Sequence, residues 1–421
     1  MTKEPPGLHS TIPLPFAPAP FYVYLSPHMS SFIDELNSRL DALRQSGLYR
    51  ELRPVDSPQA THLQMAGQTL LNFSSNDYLG LANHPVLREA AIKAVERFGS
   101  GSGSSRLICG SLAPFHELEA SLAEFKQTES ALSFATGYAA ATGTICALMG
   151  KADIIILDKL VHACIVDAAR LSGATLRIFA HNDLADLEKL LHWADHQRTT
   201  APPERKPQIL VVTESIFSMD GDAAPLREIV ALKEKYHSWL MVDEAHGTGL
   251  YGEHQRGLTE SLGVSGKIEI QMGTLGKALG SSGGFIAGSR VLVDFLVNRA
   301  RSFIFSTAPV PAAAAAATAA IRLVQSAEGG ERVAALWERV GQLTAGAAIA
   351  QTVPGAIVPF MIGDERAAVA AAVRLREQGI YIPAVRYPTV ARGAARLRIT
   401  LTANHTAAEV GQLLAALKTL K

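Results

Sequence analysis

The 421-residue sequence predicts an α/β protein with a mostly parallel central sheet, helices on both faces and a smaller α/β domain at the C-terminus. Three observations carry this. Between about residue 115 and Asp243, short apolar runs alternate with amphipathic stretches of helical spacing. The runs are continuous rather than alternating, as in strands buried on both faces, which is the condition of a covered parallel sheet. After about residue 330 the pattern changes to long helical stretches with isolated strands, marking the smaller domain.

Taken in order, Met1–Met29 is Pro-rich with few charges and matches neither a signal nor a transit peptide, so it reads as a loosely packed extension. Ser31 to Asp34 has capping-box-like spacing, and Phe32, Leu36, Leu40 and Leu43 predict a helix over 31–47. A short strand at Leu70–Phe73 leads into Ser74–Gly80. A helix is expected over Val86–Phe98, then a Gly/Ser loop from Gly99 to Ser105 that ends at Arg106. Helix 115–126 precedes strand 131–135, a turn at Gly137 and a helix to about 149. Strand 153–157 is followed by a helix starting near His162, strand 176–180 and helix 183–193. Asp195–Pro207 reads as a polar surface connection. Strand 208–213, helix 225–236, strand 239–243 and a strand-like run at Ile268–Met272 follow. Ala308–Ala320 is Ala-rich, and Pro309 and Pro311 make it the start of a helix, since proline suits the first turn. Strands near 357–362 and 396–401 lie among the C-terminal helices. The expected division is an extension at 1–30, a helix and strand segment at 31–75, a large domain at 76–325 and a small domain at 326–421.

Lys+Arg and Asp+Glu both number 39, and the net charge of zero argues against broad binding of nucleic acid or an anionic membrane surface. No apolar run reaches the length of a membrane-spanning helix. Three cysteines, Cys109, Cys146 and Cys164, have no close spacing; they predict reduced thiols in the cytoplasm, buried as small apolar residues, and no metal site.

The chemistry concentrates at expected strand ends, where open α/β sheets bind ligands. Lys277 lies in Gly273-Thr-Leu-Gly-Lys-Ala-Leu-Gly280, flanked by small residues that leave its amine accessible to a bound carbonyl. Upstream, Leu240-Met-Val-Asp243 ends an apolar strand on a carboxylate, with His246 three residues on. A strand-end acid followed by a lysine on a Gly-rich turn suits pyridoxal phosphate (PLP): the lysine forms a Schiff base and the carboxylate pairs with the pyridine nitrogen. His246 could reach the ring hydroxyl or the substrate. Gly137 and Tyr138 open a helix whose amides and dipole suit a phosphate, although an ordinary glycine turn gives the same signal. His162 could stack on an aromatic ring or cap its helix. Ser218 could hydrogen-bond a ring substituent or be a turn serine, and the Thr274 hydroxyl could bind phosphate.

The chain resembles the α-oxoamine synthases, fold-type I PLP enzymes that join an amino acid to an acyl thioester with loss of carbon dioxide. The motifs that carry this are Asn72-Phe-Ser-Ser-Asn-Asp-Tyr-Leu-Gly-Leu81, Gly101-Ser-Gly-Ser-Ser-Arg106, His181-Asn-Asp183, Phe217-Ser-Met-Asp-Gly-Asp222, Val242-Asp-Glu-Ala-His-Gly-Thr-Gly249 and the Lys277 turn. The resemblance runs from about residue 31 to the C-terminus. It implies that Lys277 holds the cofactor, Asp243 meets the pyridine nitrogen, His246 lies near the ring oxygen and His162 stacks on the ring. It implies phosphate contacts from the Gly137 and Tyr138 backbone and the Thr274 side chain, a cofactor contact from Ser218 and an amino acid carboxylate contact from Asn76. Arg50 matches an acyl-substrate position, Arg386 a carboxylate-gripping arginine and Thr389 a nearby substrate contact. The implied substrates are L-alanine and an acyl-CoA or acyl-carrier-protein thioester, with glycine or serine as alternative amino acids, in a homodimer.

Two stretches depart from the family pattern. Arg386-Tyr-Pro-Thr389 stands where Arg-Pro-Pro-Thr is expected, and Ile108–Pro114 differs after the glycine loop. Both bear on the acyl chain more than on the reaction type.

Overall fold

A computed structural model describes residues 27–349, 351 and 355–420, with residues 27–30 and 205 described in backbone only. The chain falls into two compact units that divide between Leu52 and Arg53. In the first, the described residues form one helix, Pro27–Gln45, with exposed Arg39–Glu35 and Arg44–Asp41 ion pairs along it. The helix begins at Pro27, a residue suited to a first turn, so Ser31 lies inside it rather than at its start. Most of the expected N-terminal extension lies outside the described residues.

The second unit is built on a seven-stranded sheet. We number its strands in chain order: β1 (Ser130–Phe134), β2 (Ile154–Asp158), β3 (Thr175–Phe179), β4 (Ile209–Glu214), β5 (Trp239–Asp243), β6 (Ile270–Thr274) and β7 (Gly284–Gly288). Their spatial order is β1-β7-β6-β5-β4-β2-β3. Pairs from β3 through β6 are parallel, and β7 runs antiparallel to both β6 and β1. Strands β1, β2, β4 and β7 are buried along their whole length, which is why they read as continuous apolar runs.

Alternate residues feed two cores, one on each face. Ile155, Leu157, Val212 and Met272 pack with Ala141 and Ile145 of the helix Gly137–Leu148, and with Ile165 and Ala168 of Ala163–Ser172. Ile154, Ile156, Val211 and Val242 pack on the other face with Leu187 and Leu191 of Leu184–Thr200, Ile229 of Leu226–Lys235, and Leu118 and Leu122 of Ala113–Lys126. The expected mostly parallel sheet with helices on both faces is thus present.

Three expectations need correction. The stretch from Asp195 is not all loop: the helix continues to Thr200, and the Thr199 and Thr200 hydroxyls donate to carbonyls within its last turn. It stops just before Pro202, whose ring disfavours helical backbone in the residue ahead of it. Cys109 is exposed, whereas Cys164 is buried and Cys146 is intermediate. Cys109 sits in a tight turn in which the Ile108 and Gly110 amides bond to Ser105 O, and the side chains of Leu107 and Ile108 project outward with it. Strand β6 begins at Ile270 rather than Ile268.

The C-terminal region forms a three-stranded antiparallel sheet of Ile357–Gly363, Ala395–Thr400 and Ala384–Val385, with helices Glu365–Glu377 and Ala407–Lys418. A second small sheet joins distant sequence: Gln68–Asn72 pairs antiparallel with His62–Met65 and parallel with Ile380–Tyr381. Further bonds from Thr400 N to Phe73 O (2.8 Å) and from Ala403 N to Tyr78 O (2.7 Å) lay the Phe73–Tyr78 segment along the strand Ala395–Thr400. No helix among the described residues is long and apolar enough to cross a membrane.

A buried ion pair fixes the segment after β5. Lys126 Nζ lies 2.7 Å from Glu244 Oε2, both side chains being almost wholly buried, and Glu244 also accepts from the Thr259 amide at 3.0 Å. Gly257 permits this, because a Cβ there would fall 1.9 Å from Glu244 Oε2, and its φ of +139° suits glycine alone. Gly257→Ala is expected to cost about 3 kcal/mol, since disrupting one side of a buried pair leaves an uncompensated charge. A thermal melt of the variant within a degree of the parent would refute this.

Candidate active site

The expected site residues gather where β4, β5 and β6 end. Asp243 closes β5 and Glu214 closes β4; the two are register partners on adjacent parallel strands and are both buried. Beyond β6 the chain turns through Leu275–Gly283 into β7. The Thr274 hydroxyl donates to Gly283 O (3.0 Å) and accepts from the Gly276 amide (3.2 Å), and Gly280 N bonds to Lys277 O (2.8 Å). Gly280 has φ +59°, and a Cβ there would lie 2.5 Å from the Leu81 carbonyl carbon, so the turn requires glycine at that point. The Thr274 hydroxyl proton is thereby committed to the turn, which competes with the side-chain phosphate contact expected of it.

Lys277 ends in a hydrogen-bonded chain. Its Nζ is 2.7 Å from His246 Nε2, His246 Nδ1 is 2.6 Å from Tyr78 Oη, and Tyr78 Oη is 3.2 Å from Asn76 Oδ1. Burial holds the His246 ring well below its ordinary pKa, with Lys277 and Arg398 adding to the effect. A neutral ring that accepts from Lys277 at Nε2 must donate from Nδ1, and we assign that tautomer on this network. Tyr78 then accepts from His246 and donates to Asn76. Arg398 Nη1 completes the chain at Asn76 Oδ1 (3.2 Å), while its Nε donates to Ser218 O (2.6 Å).

The electrostatics follow from burial. Desolvation pulls the Lys277 amine down to about 8, against the opposing pull of Asp243 and Glu214. It pushes the Asp243 carboxyl up, opposed by Lys277 and His162. His162 is held below its usual range, again mainly by burial. This ring is the N-cap of Ala163–Ser172: its Nδ1 accepts from the Cys164 amide at 3.2 Å. Capping leaves the ring beside Asp243 and Lys277, so the two readings of His162 are compatible.

The helix Gly137–Leu148 starts beside this cluster. Its first amides have no intrahelical acceptor ahead of them, and its N-terminus favours an anion. Gly284, the register partner of Thr274, lets it approach: a Cβ on Gly284 would lie 2.6 Å from Gly137 N and Cα. Tyr138 presents backbone here while its hydroxyl bonds Asp167 Oδ2 at 2.9 Å. A helix N-terminus for a phosphate, a buried carboxylate for a ring nitrogen and a buried amine of lowered pKa form a donor set that fits PLP.

The structure therefore brings together Lys277, Asp243, His246, His162, Ser218 and Asn76, with Gly137, Tyr138 and Thr274 at the adjoining helix start and turn. Arg386 and Thr389 sit on the turn that leads from Ala384–Val385 toward Ala395, with the Thr389 amide bonded to Arg386 O (3.0 Å). Arg50 belongs to the first unit. Sequence reasoning missed Arg398, Tyr78 and Glu214. For Arg398 a signal existed: Ala395-Arg-Leu-Arg-Ile-Thr400 is a strand whose same-face positions 396 and 398 are both arginine. Arg396 is accounted for by its ion pair with Asp220.

The His181-Asn-Asp183 motif supports the site from below. His181 Nδ1 is 3.0 Å from Asp158 Oδ1 and Nε2 is 2.8 Å from Asp222 Oδ2, while its ring meets Phe217 edge-on at 4.4 Å. Carboxylates only accept, so both ring nitrogens must donate and the ring is an imidazolium. Burial opposes this charge, but the two carboxylates prevail and raise the ring from 6.5 to about 10. A pKa raised on folding stabilises fully below about pH 6.5 and is lost as pH rises through 10. The stability advantage of the parent over His181→Gln is thus expected to be about 1–3 kcal/mol at pH 6 and to shrink toward pH 10. Denaturant unfolding at several pH values checks this, and a pH-independent difference would contradict it.

The family model for class I and II aminotransferases matches residues 68–417. The chain belongs to that family. Among its relatives is the 8-amino-7-oxononanoate synthase of Geotalea daltonii, 45% identical over 399 residues, covering 92% of this chain and 97% of the relative. The enzyme of the same name from Geobacter sulfurreducens is 46% identical over 388 residues, covering 90% and 95%. Among solved structures, a serine palmitoyltransferase from S. paucimobilis with a bound PLP–myriocin aldimine superposes with a TM-score of 0.84 at 31% identity, over 93% of this chain and 97% of that one. An 8-amino-7-oxononanoate synthase from Francisella tularensis gives 0.70 at 25% identity, over 83% and 96%. Both are α-oxoamine synthases, so the resemblance drawn from the motifs holds, and with it the fold-type I architecture.

Proposed function

We propose that this chain is a PLP-dependent acyltransferase of biotin biosynthesis. It condenses L-alanine with pimeloyl-CoA or pimeloyl-acyl-carrier protein to give 8-amino-7-oxononanoate, carbon dioxide and free thiol. The observation that carries the reading is the half-buried Lys277, its amine 2.7 Å from His246 on the turn after β6, beside the strand-end Asp243. The identity of about 45% to synthases of that name, over nearly the whole chain, supports the choice of reaction.

Lys277 would hold PLP, which when bound would supply the electron sink that makes the α-carbon of the amino acid acidic and assists decarboxylation. The chain's residues supply the rest. Asp243 keeps the ring nitrogen protonated by placing a negative charge beside it in a poorly solvated site. The Lys277 amine, with a pKa near 8, is partly neutral at physiological pH and suited to take the α-proton as general base. His246, with Tyr78 behind it, would orient the ring oxygen. His162 would lie against the ring, Ser218 would contact the cofactor, and the Gly137 and Tyr138 amides with the Thr274 turn would hold the phosphate. Arg398, steadied by Ser218 O, receives the amino acid carboxylate together with Asn76. Arg386 is carried over as an arginine that grips the same carboxylate, Thr389 as a nearby substrate contact and Arg50 as the acyl contact. The assembly is proposed to be a homodimer, which sedimentation would test.

Thiol release from pimeloyl-CoA with alanine, glycine or serine tests the reaction. Alanine is expected to exceed the others by about tenfold or more in kcat/KM, within reach of small side-chain discrimination. The likeness to serine palmitoyltransferases makes serine the informative competitor. Preference for serine or glycine would move the chain to a sibling reaction, and a protein that forms no Schiff base with PLP would refute the reading.

A further inference from the structure

Glu214 has no part in the roles assigned so far, yet it lies at the centre of the site. It closes β4 as Asp243 closes β5, and as register partners the two side chains leave the sheet on the same face. Glu214 is 1% exposed and Asp243 4%. One oxygen of Glu214, Oε2, accepts from the Ser218 amide at 3.1 Å, while the other, Oε1, is buried and makes no hydrogen bond of full geometry among the described residues, the His162 amide lying near the carboxyl. Asp243, by contrast, accepts from the Ala245 amide at 2.8 Å. Two carboxyls so placed cannot both ionise cheaply, and Lys277 is the cation acting on both. Once Lys277 is engaged with the cofactor, its free ammonium no longer serves either.

We propose that Glu214 is a neutral carboxylic acid paired with an ionised Asp243, a tuning residue that leaves a single negative charge at the sheet end beneath the cofactor ring. This rests on the PLP reading above. Protonation removes the cost of a buried charge that is short of hydrogen-bond donors. The surroundings agree. Burial, then Asp243, push the Glu214 carboxyl well above its ordinary range, and Lys277 with the His162 and Ser218 amides oppose them without prevailing. Asp243 is supported in its charge by Lys277, the Ala245 amide at 2.8 Å and His162, and burial raises it less far.

The test is a pH titration of the Schiff-base absorbance in the holoenzyme, for the parent and for Glu214→Gln. Glutamine keeps the shape and the acceptor for Ser218 N–H and carries no charge. If Glu214 is already neutral, the titration midpoint stays in place. If Glu214 is an anion, its removal destabilises the nearby Schiff-base cation and lowers the midpoint by about 1 unit or more, which overturns the proposal. Should Glu214→Gln fail to load PLP, infrared spectra of the parent holoenzyme with 13C-labelled glutamate decide alone. A protonated-glutamic-acid carbonyl band supports the proposal and its absence overturns it. A parent that forms no Schiff base would instead refute the function proposed above.

Discussion

Lys277→Ala is expected to abolish turnover and the Schiff-base absorbance while leaving the fold intact. In the proposed reaction the lysine serves twice, as the group that holds the cofactor and as the base that takes the α-proton. Loss of a general base alone costs about 10²–10⁴-fold, so the combined loss should be at or beyond the upper end of that range. The fold is expected to survive because Lys277 packs little of the core. It is a buried amine that desolvation already drives toward neutrality, and its hydrogen bond is to His246. Removing it relieves the desolvation of the amine but also withdraws the cation that acts on Asp243 and Glu214, so the thermal midpoint should move little. Absorbance and a thermal melt on the same sample separate the two effects. A persisting Schiff-base band would assign the cofactor to another lysine, and an unfolded variant would show that Lys277 is a structural residue.

Arg398→Ala is expected to lower kcat/KM for the amino acid by about 100-fold, or roughly 2.7 kcal/mol, while leaving KM for the acyl thioester nearly unchanged. Arg398 is the guanidinium bonded to Asn76, and its charge bears on Lys277, His246 and Tyr78. A planar fork can bind a carboxylate through two parallel hydrogen bonds, which an ammonium cannot reproduce, so Arg398→Lys should recover little. The substitution also has an electrostatic signature. Arg398 helps to lower the Lys277 pKa from its ordinary value to about 8, so its removal should move the acid limb of the pH–rate profile upward. Equal losses for both substrates with an unmoved profile would indicate that Arg398 only braces the Ser218 loop. Arg386 then becomes the better candidate for the carboxylate.

Much of the site was legible because its residues end strands, and strand ends are marked by local pattern. Asp243 closes an apolar run, and Lys277 sits in a turn whose glycines are demanded by a positive φ and by the close approach of Leu81. The Gly137 turn was legible for the same reason, though whether it faces a phosphate depended on Gly284. That residue's strand, β7, had escaped notice as a five-residue run bounded by glycines. Helix ends were read less well. Polar residues with adequate helix propensity carried Leu184–Thr200 past the expected stop, since only Pro202 forbids continuation.

Arg398, Tyr78 and Glu214 became visible only in three dimensions. Tyr78 and Arg398 are 320 residues apart in sequence, yet they meet because Thr400 and Ala403 hydrogen-bond to Phe73 and Tyr78. No local pattern announces such a pairing. Glu214 resembles any acid following a strand until register places it opposite Asp243. The sequence by itself determined the layer architecture, the alternation of strands and helices from about residue 115 to Asp243 and the placing of Lys277 and Asp243 at strand ends, because periodicity and turn geometry are local properties. Tertiary structure alone decided the strand order in space, which carboxyls share a site and how far each pKa moves. Those depend on burial and on charges brought together from distant parts of the chain.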